Sequence, residues 1–234
     1  MSEHHHHHEE EHFQQSAVIK DVVIGMADGL TVPFALAAGL SGIVDSNGLI
    51  ITAGIAEICA GSIAMGLGGY LAGRTEIEHY NSELKREYTE IVTHYETEKR
   101  EVREIFAAYG LSPESQHLIV DEMAKDNDKW VEFMMRYELG LEKPDEKRAT
   151  KSALNIGISY IVGGIIPLSG YMMAANPMDG LIYSSIITVI CLFVFGYFKS
   201  KLTGQNPISG ALKTTLIGVI AAAAAFFIAN LFEH

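Results

Sequence analysis

The sequence predicts an all-α integral membrane protein: five transmembrane helices per protomer, with one water-exposed helical domain inserted between the second and the third. Three observations lead there. Of the 46 charged side chains in 234 residues, the runs 22–44, 49–73, 152–178, 180–198 and 214–232 hold only two, Asp28 and Glu57, while residues 74–151 hold 32. A single soluble domain does not segregate its charge in this way. Each apolar run is 19 to 27 residues long, and about 20 helical residues cross a hydrocarbon core. The short alternating segments of a β-barrel are absent, and backbone groups in lipid must pair within their own segment, so the runs are read as helices.

In chain order, residues 1–17 form a His- and Glu-rich tail, 18–74 carry spans 1 and 2, 75–150 form the helical insert, and 151–234 carry spans 3 to 5. The tail lacks a basic stretch followed by an apolar one, so it is not read as a signal peptide, and its tract His4 to His8 is given no site role. Cys59 and Cys191 both fall inside apolar runs and are too few for a disulfide framework. The net charge of −12 disfavours nucleic acid, whose phosphates attract the opposite sign.

Orientation follows from Lys and Arg. The connections near Asp45–Gly48 and Asn176–Asp179 carry none, whereas Lys20, Arg74, Lys147, Arg148, Lys151, Lys199, Lys201 and Lys213 flank the opposite span ends. Five spans then put all 17 basic residues on one side, read as cytoplasmic. The N-terminus and the insert lie there, and Glu233-His234 on the far side.

From Arg74 to Tyr109 there is neither Gly nor Pro, so span 2 is expected to leave the membrane as one long helix, broken by Gly110 and Ser112-Pro113. Ser112 is suited to N-cap a helix with Pro113 at its first position. That second helix runs to about Leu139, ends at Gly140, and has an apolar side of Trp130, Phe133, Met134 and Tyr137. The insert is then one long helix packed on another, or three pieces.

Along the long helix, Glu76, His79, Glu83, Glu87, Glu90, His94, Glu98 and Glu101 step by three or four residues and so stay in one sector of its surface. Like charges at this spacing repel, and a divalent cation held by carboxylates and imidazoles would reverse the repulsion. The plainer alternative is a solvated acidic face screened by Lys85, Arg86, Lys99, Arg100 and Arg103. Met134 and Met135 lie four and three residues from Glu138, an arrangement that suits either a thioether ligand or plain core packing.

Within the spans, Asp28 lies eight residues from Lys20 and Met65 nine from Arg74. At about 1.5 Å per residue, both stand about 12–14 Å inside the inner boundary. Glu57 falls in the outer half, on the side of span 2 that carries Gly61, Met65 and Gly68. A carboxylate in hydrocarbon costs at least about 2.5 kcal/mol, and no Lys or Arg occurs in any span to offset it. Two acids and a Met without counter-charge point to a cation path, and protonation is the other route to neutrality. A structural alternative has Asp28 capping a helix broken near Gly25, Gly29 and Pro33. The glycines of spans 1 and 2 allow close helix approach, within a chain or between two.

The run Asp28-Gly-Leu-Thr-Val-Pro-Phe-Ala-Leu-Ala-Ala-Gly-Leu-Ser-Gly42 resembles the first span of the vacuolar iron transporter (VIT) family. Ala56 to Tyr80, with Met65-Gly-Leu-Gly-Gly-Tyr70, resembles its second span, and Phe133-Met-Met-Arg-Tyr-Glu-Leu-Gly-Leu-Glu-Lys-Pro144 the end of its cytosolic domain. The resemblance implies a homodimer of five-span protomers, with an ion path at the dimer interface between the first two spans. It implies Fe²⁺/H⁺ antiport out of the cytosol, into a vacuole-like compartment or out of the cell, with no resident cofactor.

By that resemblance Asp28, Met65 and Glu57 match transport-pathway positions, and Glu87, Glu90, Glu98, Glu101, Met134 and Glu138 match cytosolic metal-binding positions. Carboxylate with thioether also admits Zn²⁺, Mn²⁺ and Co²⁺. Thr93-His-Tyr-Glu-Thr97 lacks the proline that the family pattern leads one to expect near a helix break. The competing class is a membrane-tethered di-iron ferroxidase, since Glu76-x-x-His79 and Glu114-x-x-His117 have the Glu-x-x-His spacing of di-iron carboxylate proteins.

Overall fold

The structure is a computed structural model that describes residues 3–232, with side chains from 17 to 231. The His4–His8 side chains and Glu233-His234 lie outside the described residues. Eight helices follow one another: α1 (Glu3–Ser41), α2 (Asn47–Thr93), α3 (Tyr95–Ala108), α4 (Pro113–Met123), α5 (Asn127–Tyr137), α6 (Arg148–Met173), α7 (Pro177–Leu202) and α8 (Pro207–Phe232). No strand occurs among the described residues. Five helices are long and apolar enough to span a bilayer: α1 from Ala17, α2, α6, α7 and α8. The chain is an all-helical, multi-pass membrane protein with short helices between spans 2 and 3.

The chain divides into two compact units, one made of the chain up to Tyr70 together with Thr150 onward, the other Leu71–Ala149. In the membrane unit, small residues let helices meet backbone to backbone. A Cβ on Gly29 of α1 would stand 3.0 Å from the Tyr160 Cα of α6, and one on Gly163 of α6 would stand 3.0 Å from the Gly29 carbonyl carbon. A Cβ on Gly61 of α2 would meet the Tyr160 ring, and one on Gly54 the Leu168 side chain, both on α6. Gly25, Gly29, Gly54, Gly61, Gly66 and Gly69 thus serve contacts with α6 inside one chain, while Gly39 and Gly42 meet α8. Ala37, Ile50, Ile58, Leu168 and Tyr171 fill a core between α1, α2 and α6, where the Ser41 and Tyr171 hydroxyls hydrogen-bond at 2.7 Å. Helix α1 runs through Pro33 unbroken, so Asp28 does not cap a broken helix. Ile63, Ile158, Ile217 and Phe227 point outward, 58–72% exposed, apolar surface that a bilayer covers.

In the insert the long helix expected from 74 to 109 is interrupted at His94, where φ is −126° and ψ 29°. No Gly or Pro causes the break. Thr93 turns its hydroxyl back to the Thr89 carbonyl and to His94 Nδ1, a local alternative to helix propagation. Burial supplies the drive: Ile91 and Val102 join Val120, Trp130, Val131, Met134 and Met135 in one apolar cluster. In an unbroken helix Ile91 and Val102 would lie about 16 Å apart. The remainder is α4 and α5, split where Asp126 caps α5 by accepting from the Lys129 N–H. Ser112 caps α4 as its sequence position suggests, accepting from the Ser115 N–H with Pro113 next. Gly110 and Gly140 follow helices with φ of 82° and 64°, a backbone region that favours glycine.

Candidate functional site: two sets of carboxylates

The turn at His94 converts a linear acidic stripe into a cluster. In a straight helix Glu87 and Glu98 would be about 16 Å apart. Instead ligand oxygens of Glu87, Glu90 and Glu98 lie within 4.8 Å of one another, and those of Glu98, Glu101 and Glu138 do the same. Glu98 belongs to both groups. Opposite ligands around a small divalent ion at about 2.1 Å stand about 4.2 Å apart, so modest closure would let either trio coordinate one ion.

The electrostatics are severe for bare carboxylates. Glu87 is 2% and Glu98 4% exposed, and a pair of unit charges at about 4 Å repels by about 4 kcal/mol at an effective dielectric of 20. Burial first, then the charge of Glu101, Glu87 and Glu90, pushes the Glu98 carboxyl up to about 7. Glu138 rises to about 7 for the same two reasons, with Arg86 acting against the rise. Burial and Glu90 also raise Glu87.

The screening cations of the plainer reading are only partly engaged. Arg86 reaches Glu83 at 2.8 Å, Glu90 at 3.3 Å and Glu87 at 3.7 Å. Lys99 pairs with Asp121 and Arg100 with Glu104. One oxygen of Glu87, Oε2, is buried without a hydrogen-bond partner. A crowded group of acids that is short of cations, with Glu87 and Glu98 buried at its centre, is suited to take up a divalent ion or protons.

Met134 is fully buried in the apolar cluster. Its helical neighbour one turn on, Glu138, is exposed and joins the second trio. Glu76, His79, Glu114 and His117 are exposed and belong to neither trio, so neither Glu-x-x-His pair builds a carboxylate centre among the described residues.

In the membrane unit Asp28, Glu57 and Met65 are each half-buried. Glu57 Oε1 accepts a 2.5 Å hydrogen bond from the Tyr160 hydroxyl, while its Oε2 is buried and unpartnered. One phenol on α6 thus holds the acid of α2. Sequence reasoning passed over Tyr160, although a phenol within an apolar span needs a polar partner and was a usable signal. It also passed over Asp21, which is 2% exposed and accepts from the Ser152 hydroxyl at 3.0 Å. Beside Lys20 at a span end, Asp21 gave no signal separating it from a solvated flank.

Comparison with known proteins agrees with this architecture. Residues 19–230 match the model of the VIT family. "Vacuolar iron transporter 1" of Arabidopsis thaliana is 52% identical over 95% of this chain and 89% of its own. "Vacuolar iron transporter 2" of Oryza sativa subsp. japonica is 47% identical over 93% and 89%. "Protein CCC1" of Saccharomyces cerevisiae is 40% identical over 92% and 69%. These relatives bear the names of transporters rather than enzymes where a function is printed, and the match runs from the first span to the last. The chain belongs to the VIT family.

Proposed function

We propose that the chain moves ferrous iron out of the cytosol in exchange for protons, as a homodimer of five-span protomers. The observation that carries this reading is the pair of carboxylate trios joined at Glu98. Their oxygens are hard-cation ligands, and carboxyls raised to about 7 shed protons when a cation binds. The names of the relatives favour iron as the cargo. The one-sided distribution of Lys and Arg favours a cytoplasmic insert. Five spans are few to enclose a path, which favours two copies.

In this mechanism Glu87, Glu90, Glu98, Glu101 and Glu138, with Met134, gather Fe²⁺ from the cytosol. The ion passes to Asp28 and Met65, where it displaces protons, and leaves past Glu57 into a vacuole-like compartment or out of the cell. The test is Fe²⁺ flux into proteoliposomes holding an internal Fe²⁺-sensitive dye, with the outward-facing insert fraction scored. Uptake is expected to rise with an acidic interior and to fall to background in Asp28→Ala, while the insert of that variant still binds metal. Intact flux in Asp28→Ala removes the pathway assignment, and flux indifferent to the gradient replaces antiport with a channel or uniporter.

A further inference from the structure

The hydrogen bond between Tyr160 and Glu57 joins two side chains whose positions are set by close helix packing. The Tyr160 ring is 2% exposed. On one side its backbone abuts Gly29 of α1, where a Cβ would stand 3.0 Å from both the Tyr160 Cα and its carbonyl carbon. On another side its ring abuts Gly61 of α2, where a Cβ would stand 2.5 Å from Cζ and 2.7 Å from Cε1. Glu57 is one helical turn before Gly61, on the same face of α2. The glycine that seats the ring and the acid that takes its hydroxyl therefore share one helix face.

From this geometry we infer that Tyr160 is a positioning residue for Glu57: its hydroxyl pins Oε1 and leaves the buried, unpartnered Oε2 as the single oxygen offered to a passing divalent cation. The inference rests on the reading of Glu57 as a pathway residue. A free glutamate side chain must lose rotamer freedom each time it binds an ion. One already held by a seated phenol has lost that freedom on folding, so ion capture is faster and tighter. Partners that orient a metal-binding carboxylate typically contribute 10- to 100-fold in affinity or activity.

The test is a double-mutant cycle on the full-length protein in proteoliposomes, reading initial Fe²⁺ uptake against Fe²⁺ concentration. Tyr160→Phe keeps the ring against Gly61 and removes only the hydroxyl. It is expected to lower kcat/KM about tenfold, chiefly through KM. Glu57→Gln is expected to lose more, and Tyr160→Phe added to Glu57→Gln to change uptake less than twofold. Glu57→Asp, which draws the carboxylate back by one methylene, is expected to match the Tyr160→Phe loss and serves should Tyr160→Phe fail to fold. Losses that multiply in the double variant, or wild-type uptake by Tyr160→Phe or Glu57→Asp while Glu57→Gln is impaired, overturn the positioning role and leave the pathway reading intact. Wild-type uptake by Glu57→Gln overturns the pathway reading of Glu57 and the positioning role with it.

Discussion

In the insert, five glutamates from α2, α3 and the end of α5 converge on shared space, with Arg86 as the guanidinium among them. In the membrane unit the acids stay apart, and two of them are met by hydroxyls: Glu57 by Tyr160 and Asp21 by Ser152. The difference follows from the medium. Near water a cluster of like charges is screened, and it exchanges protons or cations with solvent at modest cost. In hydrocarbon screening is not at hand, so a carboxylate there is costly until a donor, a proton or a cation meets it, and close packing holds the Tyr160 donor of Glu57 still. The insert tunes charge by crowding, and the membrane unit by fit.

The largest expected effect breaks the fit. Gly29→Ala places a methyl on the Tyr160 backbone of α6, and neither backbone has a rotamer with which to yield. Overpacking of this kind costs about 1–3 kcal/mol or more. The variant is expected to lose most of its monodisperse folded protein in size-exclusion chromatography. Gly68→Ala, where a Cβ meets nothing within 4 Å, is expected to leave that protein's yield unchanged. Equal yields would mean that the α1–α6 approach is not the constraint described here.

The next effect breaks the crowding. Because Glu98 belongs to both trios, Glu98→Ala is expected to weaken binding at both, by about tenfold or more in Kd for Co²⁺ or Fe²⁺ titrated by calorimetry. Glu90→Ala touches one trio and is expected to leave a second binding event close to its original affinity. Metal binding indifferent to Glu98→Ala would return the cluster to a solvated acidic face.

Much of this contrast is visible in the sequence, and the exceptions are informative. Five spans, the insert and its acidic residues follow from charge segregation and hydrophobic length, which are one-dimensional properties. The cluster geometry does not. Nothing between Arg74 and Tyr109 is a helix breaker, and the turn at His94 exists because Ile91 and Val102 share a core with Trp130 and Met134. Local propensity favoured one straight helix, and tertiary burial overrode it. The division between α4 and α5 was masked in the same way, because Asp126 sits in a run of charged residues where its capping role has no separate signature. Tyr160 escaped notice for the opposite reason: in an apolar run it reads as core, and its importance comes from Glu57, 103 residues away.

A pH series sharpens the comparison without changing a residue. Glu98 and Glu138 titrate near about 7 when folded, above an ordinary 4.5. Metal must displace those protons, so apparent affinity in the insert is expected to fall as pH drops below about 7 and to level off above it. The metal-free protein has the reverse dependence. A carboxyl raised on folding contributes stability that is fully present below its unfolded value and is lost as pH rises through its folded value. Thermal stability of the metal-free insert is thus expected to decline between about pH 4.5 and 7, and added Co²⁺ to restore it at the upper end. A metal affinity that is flat from pH 5 to 8 would show that these carboxyls do not bind the ion.

The smallest effect lies in the insert's scaffold, away from both carboxylate sets. Ser112 accepts from the Ser115 N–H at 3.3 Å and starts α4, which carries Val120 into the cluster with Met134. Replacing an N-cap serine by alanine costs about 1 kcal/mol, and for a domain of this size that shifts Tm by about 4–8 °C. Ser112→Ala is therefore expected to lower the insert's melting temperature by a few degrees while leaving the affinity for Co²⁺ within twofold of wild type. The Glu87, Glu90 and Glu98 trio takes its ligands from α2 and α3 and none from α4. A large loss of affinity in Ser112→Ala would mean that the cluster depends on the whole insert for its shape, and that its crowding needs the same tight fit as the membrane unit.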